Sequence, residues 1–444
     1  MNKLITSLLI TTSVLIGFTA NATSKVQTWT TKEGAEVYYL HAPEIPIVDM
    51  IISVDAGAIL EDGAYGLADM TASMMTSGTT RLDEEAYLEE LDNLQSSIGA
   101  GASTYSTIFS LRSLTKPESL QPSLDLFYEV LESPRFDEKI FERDRAQAID
   151  GEKAILDSPS ALANELYYNA LYPNTVIGTT SAELQASLQK LTLDQVKNFR
   201  EQFYDAQDAK IVFVGDIDKD QATTIANRVS EILGTGEIHP KVAQIEPVTM
   251  NLTHEKYFNS PQTQVMIGQP AIDRFNNDYL PLIVGNHLLG GSGLTSMLMT
   301  TIREKDGLTY GIYSRFSPSF YEGPFTITFS TKNESVDEAI TKTKEAVNNF
   351  IQEGPDATLL ERAKNNFLGS LVLDLDSNSK LANSILMLAT YGLPLDYYET
   401  LPEKVRAITP SEIQEAFKRH VNTEEMTTVI VGGYVDPNKT ETKQ

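Results

Sequence analysis

The chain has 444 residues, no cysteine, one tryptophan and a formal net charge of −26 at pH 7. That length allows two or three domains, each with a core of its own. The charge repels phosphate backbones and excludes nucleic acid as a partner, while the missing cysteines exclude disulfides, thiolate metal sites and a lipid-modified Cys.

The chain opens MNKLITSLLITTSVLIGFTANA, in which Lys3 supplies a positive start, Leu4 to Phe18 an apolar core and Ala20-Asn21-Ala22 a small-residue cleavage site. This is the pattern of a secretory signal peptide over residues 1–22. A membrane anchor fits less well, because the apolar run falls short of the roughly 20 residues a span needs. The mature product is expected in the periplasm or outside the cell, with no membrane span after cleavage. A cysteine-free chain suits such an oxidising compartment.

Beyond the leader, DMIISVDAGAI (49–59), STIFSLRSL (106–114) and AKIVFVGDI (209–217) have the β-branched and aromatic content of strands. DEEAYLEELDNLQSSI (83–98) and SLQPSLDLFYEVLE (119–132) space their apolar residues three and four apart, as amphipathic helices do. Thr192 is placed to cap the N-terminus of a following helix. The segment 234–253 holds two prolines and no clear period, and reads as a linker. After it, PFTITFST (324–331) reads as a strand and SVDEAITKTKEAVNNFIQEG (335–354) as a helix ended by Gly354, and Thr409 stands where another N-cap belongs.

The second half restates the first. SLTKPES (113–119) parallels FSTKNES (329–335), and IFERDRAQA (140–148) parallels LLERAKNNF (359–367). Thr192 matches Thr409, and Val214-Gly215 matches Val431-Gly432 at the same offset. Several matches in one order at a nearly constant offset imply duplication. The expected architecture is α+β: two similar domains, 23–233 and 254–444, each a mixed, mostly antiparallel sheet with helices packed on it.

Chemistry is sparse. The five histidines, His41, His239, His254, His287 and His420, never fall within one helical turn of each other, so a zinc site contained in this chain is not expected. LLGGSGLTSML (288–298) is glycine-rich and opens a helix, but it carries no lysine and fits neither phosphate-binding glycine motif. Ser292 and Ser296 lack any nucleophile-elbow context. In TTIREKDGLTYGIYSRF (300–316) a helix should stop at Asp306-Gly307 and a strand begin at Leu308-Thr309-Tyr310. Arg303 and Tyr310 would then share a cleft and suit a peptide carbonyl oxygen turning into an oxyanion. Alternatively, Arg303 offsets the helix dipole and Tyr310 packs.

The duplicated halves, GGSGLTSMLMTTIREKDGLTYGIYS and the FVGDI/IVGGY strands together resemble the pitrilysin/insulinase family of zinc metallopeptidases, over essentially the whole mature chain. The resemblance implies a clamshell of two such chains around an unfolded peptide. In catalytic members the helix aligned with GLADMTASMM (66–75) carries H-x-x-E-H, with zinc on the two histidines and the glutamate as base. The aligned residues here are Asp69, Ala72 and Ser73, and a third ligand would fall near Asp150 or Gly151, beside Glu152. The resemblance therefore implies a chain without zinc of its own. Arg303 and Tyr310 match the family's Arg/Tyr pair, which contacts substrate and supports the tetrahedral intermediate. By the same resemblance, the expected partners are a catalytic H-x-x-E-H subunit carrying the zinc and an unfolded peptide substrate. The competing reading is a catalytically dead structural or peptide-binding protein of the same fold. The stretch GAGASTYSTIF (99–109) occupies the place where catalytic relatives add substrate as an extra strand.

Overall fold

The computed structural model describes residues 25–207, 209–236 and 245–434. The signal sequence and part of the 234–253 linker lie outside the described residues; what is described of that linker carries no helix and reaches a strand only at Thr253. Among the described residues no helix is long and apolar enough to cross a membrane.

Eleven strands make two sheets among these residues. The first holds β1 (Gln27–Thr30), β2 (Glu36–His41), β3 (Ile47–Val54), β4 (Ser97–Ala102), β5 (Thr107–Leu114) and β6 (Lys210–Gly215), in the order β1-β2-β6-β3-β5-β4. The second holds β7 (Thr253–Tyr257), β8 (Gln262–Ile272), β9 (Ile312–Phe316), β10 (Gly323–Lys332) and β11 (Thr427–Gly432), in the order β7-β11-β8-β10-β9. Each sheet has a single parallel pair, β2 with β6 and β7 with β11, and its other pairs are antiparallel. Without β1, the two strand orders are the same. The duplication read in the sequence is a duplication of topology, and the matched Val214-Gly215 and Val431-Gly432 end equivalent central strands.

Local signals explain the helix starts. Thr192 and Thr409 each close a capping box, accepting from the backbone N–H of Gln195 and Glu412 while those side chains return to the cap residue's N–H. Gly354, at φ 74°, follows the helix Val336–Glu353.

The chain divides into two compact units, and each takes one helix from the opposite half of the sequence. One unit comprises 1–149, 184–243 and 370–402; the other comprises 150–183, 244–369 and 403–444. In the first, β6 is buried along its whole length because both faces of the sheet are covered. Ile211 and Phe213 join the large cluster with Val37, Ile52, Phe109 and Met74. Val212 and Val214 join Leu40 and Ile51 on the other face, beneath Ala382, Ile385 and Leu386 of the helix Asn378–Thr390. In the second unit the helix Pro159–Leu171 lies on β8 and β11. Its Tyr167 hydroxyl meets Thr326 Oγ1 at 3.0 Å and Phe325 O at 3.2 Å.

Candidate functional site

The helix Leu67–Met75 buries Leu67, Ala68, Met70, Met74 and Met75, three and four residues apart, against the first sheet. Its N-cap is Gly66, which has no side chain to satisfy the first amides. Glu61 does so from the preceding turn: Oε1 accepts from Ala68 N–H at 2.8 Å and Oε2 from Gly66 N–H at 3.2 Å. This carboxyl is 5% exposed, and burial pushes its pKa up to about 7 despite those amides. Its role was not read from the sequence, because five to seven residues separate it from the amides it caps, unlike the fixed spacing of a capping box.

Asp69 and Ser73 stand one turn apart on the exposed face of this helix, and Ala72 is fully buried. The helix packs along β4, and the backbone of Ala102, at the end of that strand, favours the charged form of the Asp69 carboxyl. Desolvation by burial raises its pKa all the same, outweighing that backbone's effect, although part of the side chain meets solvent.

A catalytic zinc needs three protein ligands, mostly imidazole or carboxylate, and an open position for water. Here Ala72 has no donor atom, Ser73 brings only a neutral hydroxyl, and Asp69 is the one carboxylate of the helix. Asp150, in the helix Glu138–Ile155, is exposed and holds Lys153 Nζ at 2.7 Å. These residues do not fit zinc. Among the described residues no group of three or more His, Asp or Glu side chains is arranged to hold a metal.

The second candidate site lies in the other unit, on the segment 286–316. The sequence predicted an ordinary helix turning into a strand at Leu308; the structure has two π-wound turns, His287–Gly291 and Met299–Lys305, and β9 begins only at Ile312. The first of these turns packs closely on β9. A Cβ on Gly290 would come within 2.2 Å of Ser314 Oγ, so only glycine lets this turn approach β9. Asn286 seals the contact, donating from Nδ2 to Ser314 O at 3.0 Å and accepting from Ser314 Oγ at 2.6 Å.

Arg303 sits in the last π turn, and Gly307, at φ 66°, reverses the chain after it. Gly307 N–H bonds Arg303 O at 3.1 Å and Leu308 N–H bonds Ile302 O at 3.0 Å. The buried Thr309 hydroxyl then donates to Ser330 O at 2.7 Å, fixing the next residue. That residue is Tyr310, which is 76% exposed. Among the described residues neither the Arg303 nor the Tyr310 side chain has a hydrogen-bond or ion-pair partner. The hydrogen-bonded backbone here carries a guanidinium and a phenol, both able to donate to an acceptor oxygen.

Two family models cover most of the chain: the insulinase (peptidase family M16) model matches residues 36–182, and the peptidase M16 inactive domain model matches 190–367. The solved peptidase M16 inactive domain from Pseudomonas fluorescens is 32% identical, with a TM-score of 0.88, and the match covers 94% of this chain and 100% of that one. The chain belongs to the insulinase peptidase family. Another similar member is the non-peptidase homolog YmxG of Helicobacter pylori, 27% identical over 392 residues, which are 84% of this chain and 86% of the relative. The periplasmic protease PqqL of Escherichia coli shares the fold at a TM-score of 0.77 and 18% identity, over 91% of this chain and 45% of its own. Within the insulinase family this chain is similar to members described as an inactive domain and as a non-peptidase homolog.

Proposed function

We propose that this insulinase-family chain is the zinc-free subunit of a heterodimeric periplasmic metallopeptidase that degrades unfolded peptides. A partner with an intact H-x-x-E-H helix brings the zinc and the base. This chain brings half of the chamber and, through Arg303 and Tyr310, two donors for the peptide carbonyl oxygen as it gains negative charge. The observation that carries this reading is the contrast between the two sites. The positions that the resemblance aligns with the zinc motif, Asp69, Ala72 and Ser73, offer no ligand set, whereas Arg303 and Tyr310 stand on a hydrogen-bonded turn with no side-chain hydrogen-bond partner among the described residues. The leader-like residues 1–22 support export, as does the periplasmic setting named for PqqL.

The test is a reconstituted heterodimer carrying Tyr310→Phe or Arg303→Ala. Each should lower kcat by roughly 10²–10³, the effect of removing one donor from an oxyanion site, with zinc content and assembly unchanged. The name of the Helicobacter pylori relative favours a second reading, a protein of this fold that has left catalysis altogether. Turnover within about twofold of the unsubstituted heterodimer for both variants would reject the Arg303/Tyr310 role and leave that second reading standing.

A further inference from the structure

β9 opens at Ile312, paired with Phe329, while β10 runs on to Lys332, so the residues of β10 after Phe329 have no partner in β9. The same register, continued, would set Gly311 against Ser330 and Tyr310 against Thr331. Ser317 N–H donates to Pro324 O at 3.0 Å, which marks that facing pair as hydrogen-bonded. Antiparallel alternation, followed along the ladder, makes Gly311 and Ser330 a pair of the same kind, with Gly311 N–H aimed at Ser330 O. The Thr309 hydroxyl stands between them instead. It accepts from Gly311 N–H at 3.1 Å, and its hydrogen reaches Ser330 O at 2.7 Å and Gly311 O at 2.9 Å. Thr331, buried on β10, donates from Oγ1 to Leu308 O at 2.5 Å. Two side-chain hydroxyls thus replace the backbone ladder over this stretch. The consequence falls on Tyr310. Side chains alternate along a strand, so a longer β9 would put Tyr310 on the face of Ile312 and Ser314, both buried. It is exposed instead.

We propose that Thr309 and Thr331 are positioning residues for Tyr310: their hydroxyls end the β9–β10 ladder at Ile312 and so keep the phenol turned out of the sheet's covered face. The inference rests on the oxyanion role proposed above for Tyr310. Without the Thr309 hydroxyl, Gly311 N–H and Ser330 O each lose a partner, and bonding one another directly recovers it. That bond lengthens β9 and carries Tyr310 toward the face of Ile312. Without the Thr331 hydroxyl, Leu308 O loses its donor, and the residues leading into Tyr310 lose their tie to β10.

The experiment treats the full chain with tetranitromethane, which nitrates exposed tyrosines, and reads each site by tandem mass spectrometry. Tyr257, exposed on β7, is the internal reference. Thr309→Val and Thr331→Val remove a hydroxyl and keep the branched shape. In each, nitration of Tyr310 relative to Tyr257 should fall roughly three- to tenfold, the worth of one net hydrogen bond. Thr309→Ser and Thr331→Ser keep the hydroxyl and should restore the ratio. If valine unfolds the chain, Thr309→Ala and Thr331→Ala carry the same expectation. In the reconstituted heterodimer the valine variants should lower kcat with KM nearly unchanged, and serine should restore it. Placed on Tyr310→Phe, which has no hydroxyl left to position, Thr309→Val should lower kcat no further. An unchanged nitration ratio in both valine variants would overturn the proposal, as would serine variants that behave like valine. Full kcat in the valine variants, where Tyr310→Phe loses it, would overturn it too. The nitration ratio needs no partner chain. A fall in it alongside full turnover of Tyr310→Phe would therefore uphold the placement of Tyr310 and reject the oxyanion role instead.

Discussion

Replacing Glu61 with Gln should flatten the dependence of stability on pH between about 4.5 and 7. The carboxyl is buried at the start of the helix Leu67–Met75, and its pKa is raised from 4.5 to about 7. Desolvation is the largest cause; the Ala68 and Gly66 amides oppose it, and the charge of Asp69 adds to it. The sign follows from proton counting. Between those two values the folded chain holds a proton that the unfolded chain has lost, so folding is favoured at the acid end and loses that favour as pH rises. The contribution is fully present below about pH 4.5 and is gone once the pH has passed about 7. At about 1.4 kcal/mol per pH unit, the gap amounts to on the order of 3 kcal/mol. With only 5% of the residue exposed, solvent screening takes little from this figure. Gln keeps the shape and one acceptor for Ala68 N–H but cannot titrate. Urea unfolding followed by circular dichroism across this range should therefore show the unsubstituted chain losing stability toward neutral pH, over and above Glu61→Gln. The other carboxylates and histidines titrate in both proteins and cancel in the difference. Parallel pH curves for the two proteins would refute the reasoning.

Two further outcomes test the fold and the site. The purified chain should bind no stoichiometric zinc, since Asp69, Ala72 and Ser73 do not form a ligand set; elemental analysis finding a tightly held zinc in each chain would contradict this. Ile385→Ala should cost roughly 2–5 kcal/mol, because Ile385 is fully buried against Val212, Val214 and Leu40 of the first sheet. A loss below about 0.5 kcal/mol in urea unfolding would mean that the helix Asn378–Thr390 does not cover that sheet.

Features set by neighbouring residues were legible in the sequence. Thr192 and Thr409 announced their helices because a capping box is complete within four residues. The strands β3, β5, β6 and β10 showed in their β-branched runs, and the repeat showed that two sheets share a plan. Features set by distant packing were not legible. Leu308 and Thr309 look strand-like, but the Thr309 hydroxyl is taken by Ser330 O and Gly311 O, and the strand starts later. The first π-wound turn packs against Ser314, over twenty residues away from Gly290. The packing of the helix Leu67–Met75 along β4 was not legible either, since it required the sheet to exist. No period in the sequence told which sheet the helices Pro159–Leu171 and Asn378–Thr390 would cover, since an apolar stripe records that a helix is buried and not against what.

That exchange of helices has a consequence for synthesis. The first sheet is complete in hydrogen bonds once β6 has been made, at Gly215, yet one face of it stays wet until the helix Asn378–Thr390 emerges. During that interval Leu40, Ile51, Val212 and Val214 form an apolar surface on a chain still being made. An uncovered face of this kind is a site for non-native association and for chaperone capture. A chain cut within 234–253 would meet the same difficulty permanently: each fragment would hold a helix whose sheet is on the other. Fragments of such a protein should be recovered together or as aggregates, not as independent folded halves.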